Sequence, residues 1–118
     1  MAGDLSPRAP EGMWVADQVH EWTYITPRGH IPRERGRHTG HVIKHKGKSY
    51  VLIFGGQNYD LGEKYNEVVM FDLDEECWVT CTTHGPCPDA RSSHSSIYDE
   101  QRHALYIFGG TTGITIMK

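Results

Sequence analysis

The chain repeats itself. Trp22, Gly29, Pro32, Arg35 and His38 recur 56 residues later as Trp78, Gly85, Pro88, Arg91 and His94. Phe54-Gly55-Gly56 recurs 54 residues later as Phe108-Gly109-Gly110. A period near 50 residues that carries a tryptophan and a double glycine points to a repeat architecture. One such unit cannot bury its own faces, so each unit leans on neighbours.

Within one period the pattern is that of short strands. His20 to Tyr24 alternates polar and large side chains, as a half-buried strand does. A Pro/Gly/Arg-rich loop follows from Pro27 to Gly36. His38 to Lys44 favours β structure and ends in a tight turn around Gly47. Tyr50 to Phe54 is a continuous apolar run, the pattern of a strand covered on both faces, and the double glycine ends it. Gln57 to Tyr65 is a polar loop. Glu67 to Phe71 and Cys77 to Thr82 are two further strands around the turn at Asp74-Glu75-Glu76. The cycle then restarts with His94 to Tyr98 and Ala104 to Phe108. No stretch has helical period. One cycle is therefore four short strands in a meander, a to d, with strands expected near 38–44, 50–55, 67–73 and 77–82.

These residues resemble a known family. Arg-x-x-His, an apolar strand into Gly-Gly, then Asn66-Glu67-Val68, Phe71-Asp72 and Trp78 look like the kelch repeat, over Trp14 to Gly110. Phe71 stands where the family usually has tyrosine. The resemblance implies an all-β fold of kelch-type β-propeller blades, each a four-stranded antiparallel meander. It also implies an incomplete propeller, because propellers use about four to eight blades and this chain offers one whole blade and parts of two. Residues 1–13 then read as a polar N-terminal tail. Residues 14–34 read as strand d of a preceding or closing blade with its loop, and residues 35–90 as a complete blade. Residues 91–118 read as the first half of the next blade.

The repeated residues have structural readings. Gly55, Gly56, Gly109 and Gly110 permit positive φ and close backbone approach. Trp22 and Trp78, on the outermost strands, are expected to be buried between adjacent sheets. His38, His94 and Phe71 complete the repeat pattern. By the resemblance, Arg35 and Arg91 bridge neighbouring blades, which suits the fixed fork of guanidinium donors.

Chemistry-bearing patterns fail on geometry. In a strand, His38 and His41 point to opposite faces, so with His45 they do not make a metal site. Cys77 and Cys81 share a face but lie roughly 13 Å apart along a strand, too far to join His84 and Cys87 around one zinc ion. Ser92, Ser93, His94 and Asp99 lack the elbow and oxyanion loop of a hydrolase, and the double glycines lack the lysine of a phosphate loop. No catalytic residue, metal site or cofactor is expected.

Charge narrows the partners. Residues 1–48 carry 8 Lys/Arg against 5 Asp/Glu, and residues 49–118 carry 4 against 10. In a meander, alternate turns fall on opposite rims. The arginines of the d-to-a loop and Lys44, Lys46 and Lys48 then face apart, so no single nucleic-acid patch forms. The longest apolar run is far below the ~20 residues of a membrane span, so no membrane partner is expected. Three cysteines suit a reducing compartment, and the cytoplasm, with the nucleus second, is the expected location.

The favoured function is a non-catalytic protein–protein interaction module, a scaffold or adaptor. Two other readings stay open: part of a propeller enzyme or metal-dependent specifier protein with its active site outside this segment, and a truncated product without activity. Self-association is expected if blades are left uncovered. Candidate partner-binding residues are Arg28, Arg33, Tyr59, Glu63, Lys64 and Tyr65, on the rim of the longer d-to-a and b-to-c loops.

Overall fold

The computed structural model describes residues 12–112, and these contain strands and turns but no helix. Four strands form the antiparallel meander expected from the sequence. They are β4 (Thr39–His45), β5 (Lys48–Phe54), β8 (Val68–Asp72) and β9 (Cys77–Thr80). A two-residue strand, β3 (Arg28–Gly29), adds to the outer edge in parallel, giving the order β3-β9-β8-β5-β4. Strands β1 (Met13–Ala16) and β2 (Trp22–Ile25) form a separate hairpin, as do β10 (Ser95–Asp99) and β11 (Ala104–Phe108). Within the b-to-c loop lies a small hairpin of β6 (Gln57–Asn58) and β7 (Glu63–Lys64). Most of the stretch 1–13 read as a tail, and residues 113–118 of the last unit, lie outside the described residues.

The register divides each sheet into two faces. Thr39 pairs with Phe54, His41 with Leu52 and Ile43 with Tyr50, so these six share a face. That face meets β10: Thr39 Oγ1 lies 2.9 Å from His94 Nε2 and His41 Nε2 lies 2.7 Å from Ser96 Oγ. The Phe54 ring meets the His94 ring edge-on, 5.3 Å between centres. Ile43, Leu52 and Phe54 are buried there. The opposite face carries Val51, Ile53, Val69, Phe71 and Trp78.

Coverage by a neighbour decides burial. Phe54 is 2% exposed, whereas Phe108, its repeat counterpart, is 62% exposed because no sheet follows it among the described residues. The expectation of two buried tryptophans holds for neither in full. Trp78 is half-buried and packs on Phe71, 5.0 Å between ring centres. Trp22 is 68% exposed, because its cross-strand neighbour is the small Ala16.

Two features were not read from the sequence. Met13 to Thr26 is a hairpin, not one strand, because Asp17 Oδ1 accepts the backbone N–H of Val19 (2.9 Å) and Glu21 (3.2 Å) and turns the chain. Asp72 does the same after β8, accepting from Asp74 and Glu75. Positive φ also recurs at non-glycine turn residues, in the pairs His20 and Glu76, Arg37 and Ser93, and Lys46 and His103.

Candidate functional site

The b-to-c loop is fastened on both sides. Gly36 and Gln57 exchange two backbone hydrogen bonds of 2.9 Å, tying it to the d-to-a loop. The amide of Asn58 donates to the Glu34 carbonyl at 3.0 Å, and its Oδ1 accepts the Leu61 N–H at 3.1 Å, closing the turn over residues 59–62. On the other side, Lys64 Nζ donates to Ser92 Oγ, to the Thr111 carbonyl and to Thr111 Oγ1, all at 3.1–3.2 Å. Ser92 Oγ donates to Gln57 Oε1 at 2.9 Å. This clamp joins the complete blade to the next hairpin. Ser92 is fully buried, with its hydroxyl engaged in the clamp.

The two repeated arginines occupy matching sockets. Arg35 donates from Nη1 to the Gly55 carbonyl at 3.3 Å and from Nε to the Arg33 carbonyl at 3.2 Å. Arg91 donates to the Gly109 and Asp89 carbonyls, both at 3.2 Å. Arg35 also pairs with Glu67 at 2.7 Å and lies 4.0 Å over the Tyr65 ring. Each guanidinium therefore holds the double-glycine end of a b strand within its own repeat.

The six candidate rim residues separate by role. Tyr59 is 84% exposed at the tip of the fastened turn. Arg33 and Glu63 pair at 3.6 Å, Arg33 exposed and Glu63 half-buried. Tyr65 is a support: its hydroxyl donates to Glu63 at 3.0 Å, its face carries Arg35, and desolvation followed by Glu63 pushes its pKa up. Lys64 belongs to the clamp. Arg28 departs from the expected rim. Parallel pairing with β9 puts it beside the c-to-d turn, where its N–H donates to the Glu76 carbonyl and its side chain meets Glu75. Gln57, Ser92 and Thr111 are members the sequence reading missed. Their signal was available: Gln57 and Thr111 each follow a double glycine, and each forms the matching bridge, Gly36 to Gln57 and Ser92 to Thr111.

The cysteines stay apart in role. Cys77 and Cys81 are half-buried and Cys87 is exposed, all three as free thiols. Among the described residues no group of three or more His, Cys, Asp or Glu is placed to hold a metal ion.

His94 is expected to make the blade contact sensitive to acid. Burial, then the charge of Arg91, lowers its pKa below the ordinary 6.5, against a smaller opposing effect of the Phe54 carbonyl. The unfolded chain therefore binds the proton more readily than the fold. Stability is complete above about pH 6.5 and falls as pH drops from there through the lowered folded value. Urea midpoints measured between pH 7.5 and 5 should decline, and His94→Gln should reduce that decline, leaving the share of His38, whose pKa burial and the charge of Arg35 also lower. An unchanged slope in the variant would remove His94 as its source.

A family model described as the KLHDC2/KLHL20/DRC7 Kelch-repeats domain matches residues 6–117. The chain belongs to the kelch-repeat family. Dynein regulatory complex subunit 7 of Chlamydomonas reinhardtii is 36% identical over 74 residues, covering 63% of this chain and 6% of that protein. The flagellar outer arm dynein alpha chain of the same organism is 30% identical over 82 residues, covering 70% of this chain and 2% of that protein. The V(D)J recombination-activating protein 2 of Gallus gallus is 34% identical over 94 residues, 70% of this chain and 17% of that protein. The kelch segment thus spans 17% or less of the length of each of these relatives.

Proposed function

We propose that this kelch segment is a non-catalytic protein-interaction module, acting as a scaffold or adaptor in the cytoplasm, and that it binds its protein partner through the turn between β6 and β7. The observation that carries this reading is Tyr59, 84% exposed on a turn fastened by backbone and side-chain hydrogen bonds. A tyrosine held on a rigid support buries wide area at low entropic cost and keeps a polar tip. Leu61, half-exposed on the same turn, adds apolar surface, and the Arg33–Glu63 pair supplies charge of both signs. Arg28, on the other rim, leaves the proposed surface. Lys64 and Tyr65 hold it from below. The cytoplasmic assignment is supported by two relatives named for the dynein regulatory complex and a flagellar outer arm dynein.

The test uses the full-length protein and a partner recovered by pull-down. Tyr59→Ala should weaken binding about tenfold or more, the usual scale for an aromatic anchor, and Arg33→Ala should weaken it less. Lys46→Ala and Glu75→Ala, on the opposite rim, should leave affinity unchanged. Melting temperatures should not move with Tyr59→Ala. Binding lost only through Lys46 or Glu75 would place the interface on the other rim.

A further inference from the structure

The turn between β6 and β7 borders an open pocket of about 290 Å³, with Arg37, Gln57, Tyr59, Glu63 and Lys64 in its lining. The side-chain acceptors around it are engaged. Gln57 Oε1 accepts from Ser92 Oγ at 2.9 Å, and Asn58 Oδ1 accepts the Leu61 N–H at 3.1 Å. Glu63 meets Arg33 at 3.6 Å and accepts from the Tyr65 hydroxyl at 3.0 Å. Donors are left over. Among the described residues, the Gln57 amide nitrogen, the Tyr59 hydroxyl and the Arg37 guanidinium make no hydrogen bond.

Charge divides the same way. The ion pairs among the described residues engage Arg28, Arg33, Arg35, Lys48 and Arg102. Arg37 and Lys64 belong to none of them. Lys64 is half-buried and gives its protons to neutral oxygens only, on Ser92 and Thr111. The repeat shows that the blade does not require Arg37. Arg35 and His38 recur 56 residues later as Arg91 and His94, but the counterpart of Arg37 is Ser93. Arg37 and Ser93 share a φ of 57°, and the Arg37 carbonyl accepts the Ser93 N–H at 2.9 Å. The turn thus fixes the backbone at this position and makes no use of the guanidinium.

We propose that this pocket takes the phosphate of a phosphorylated serine or threonine on the protein partner. The inference rests on the reading of this turn as the partner surface. A phosphomonoester carries about −1.5 to −2 charge at pH 7 and three strong acceptor oxygens. Arg37 and Lys64 supply two positive charges. The guanidinium fork suits two phosphate oxygens at once, and the Gln57 amide and Tyr59 hydroxyl are donors for the rest. A carboxylate brings one charge and two oxygens, and leaves part of this set unmet. Lys64 acts through its charge, since its protons are already placed. Tyr59 flanks the phosphorylated residue with its ring.

The probe is a glycine pentapeptide with a central phosphoserine, acetylated and amidated so that it bears no other charge. It is titrated to millimolar concentration against the 15N-labelled 118-residue chain at constant ionic strength. The amides of Gln57, Asn58 and Tyr59 should shift and saturate. The peptide with glutamate in place of phosphoserine should bind several-fold more weakly, and the serine peptide should shift nothing. Arg37→Ser installs the residue that the next repeat carries at this φ, so the fold is kept. It should weaken phosphopeptide binding about tenfold or more, the scale of a lost hydrogen bond to a charged group. Arg37→Lys should recover part of that loss, and Lys46→Ala should change nothing. No shift at the turn, equal binding of the glutamate peptide, or indifference to Arg37→Ser overturns the proposal. Phosphatase treatment of the partner recovered by pull-down separates this inference from the reading beneath it. A dephosphorylated partner that still binds through Tyr59 ends the phosphate site and keeps the interface. A partner indifferent to Tyr59→Ala ends the interface itself.

Discussion

Gly56→Val is expected to destabilise the blade by several kcal/mol, and Gly55→Val by nearly as much, while Gly47→Val costs only about 1–2 kcal/mol. All three glycines have positive φ: 72° at Gly55, 96° at Gly56 and 77° at Gly47. Backbone strain on adding a β-branched side chain is therefore common to the three and cannot separate them. Space does. A Cβ at Gly56 would lie 2.8 Å from the Gly36 carbonyl oxygen and 2.9 Å from His38 Cβ. One at Gly55 would lie 2.7 Å from His94 Cε1 and 2.9 Å from the Arg91 carbonyl oxygen. At Gly47 nothing lies within 4 Å. Relieving the first two contacts means moving backbone. The Gly36–Gln57 bridge and the bond from Gly56 N–H to the Arg91 carbonyl, 2.9 Å, would open with it. The difference should be about 1–3 kcal/mol in denaturant melts at matched protein concentration. Equal losses at Gly47 and Gly56 would show that φ alone, and not the close approach of loops, sets the requirement for glycine.

Those glycines also show what the sequence could and could not reveal. The repeat itself was legible, because Trp, Arg-x-x-His and Phe-Gly-Gly are rare enough to be seen twice. The strands of the complete blade lie within a few residues of expectation, because apolar runs and turn residues punctuate them. The hairpin at β1 was not legible. Four apolar residues without a preceding turn signal give no period, and the turn is made by Asp17 through bonds that composition does not announce. Trp22 illustrates a different limit. Its residue type matches Trp78, but burial is set by what lies across the strand, Ala16 in one case and Phe71 in the other. Arg28 failed for a topological reason. Loop membership implied one rim, yet two residues of parallel pairing with β9 carry it to the other. The clamp of Lys64 with Ser92 and Thr111 joins residues 28 and 47 positions apart, and such a contact follows from register between blades, not from local pattern.

Phe54→Ala should be the costliest core truncation, at about 3–5 kcal/mol. The ring is 2% exposed and sits at the junction of the complete blade with the following hairpin. Three losses coincide there. The first is the transfer term of a buried aromatic, and the second is a cavity that its surroundings cannot fill. Arg35, Gly55 and the Lys64 clamp fix the backbone around it, so collapse into the space is blocked. The third is the edge-on contact with His94, about 0.5–1.5 kcal/mol beyond area burial. Phe54→Leu keeps most of the volume, and its cost should stay well below that of alanine. Tyr59→Ala, at an 84% exposed position, should leave the denaturant midpoint within about 0.5 kcal/mol of the parent. The Phe54→Ala loss should also blunt the acid sensitivity assigned to His94. Removing the ring opens the imidazole to water, weakens the burial that lowers its pKa, and brings folded and unfolded proton affinities closer together. A Phe54→Ala protein with the parent's midpoint would mean that the second hairpin does not pack on the blade in solution. A protein that loses stability but keeps the full pH slope would instead place the titrating group elsewhere than on the His94 side of this contact.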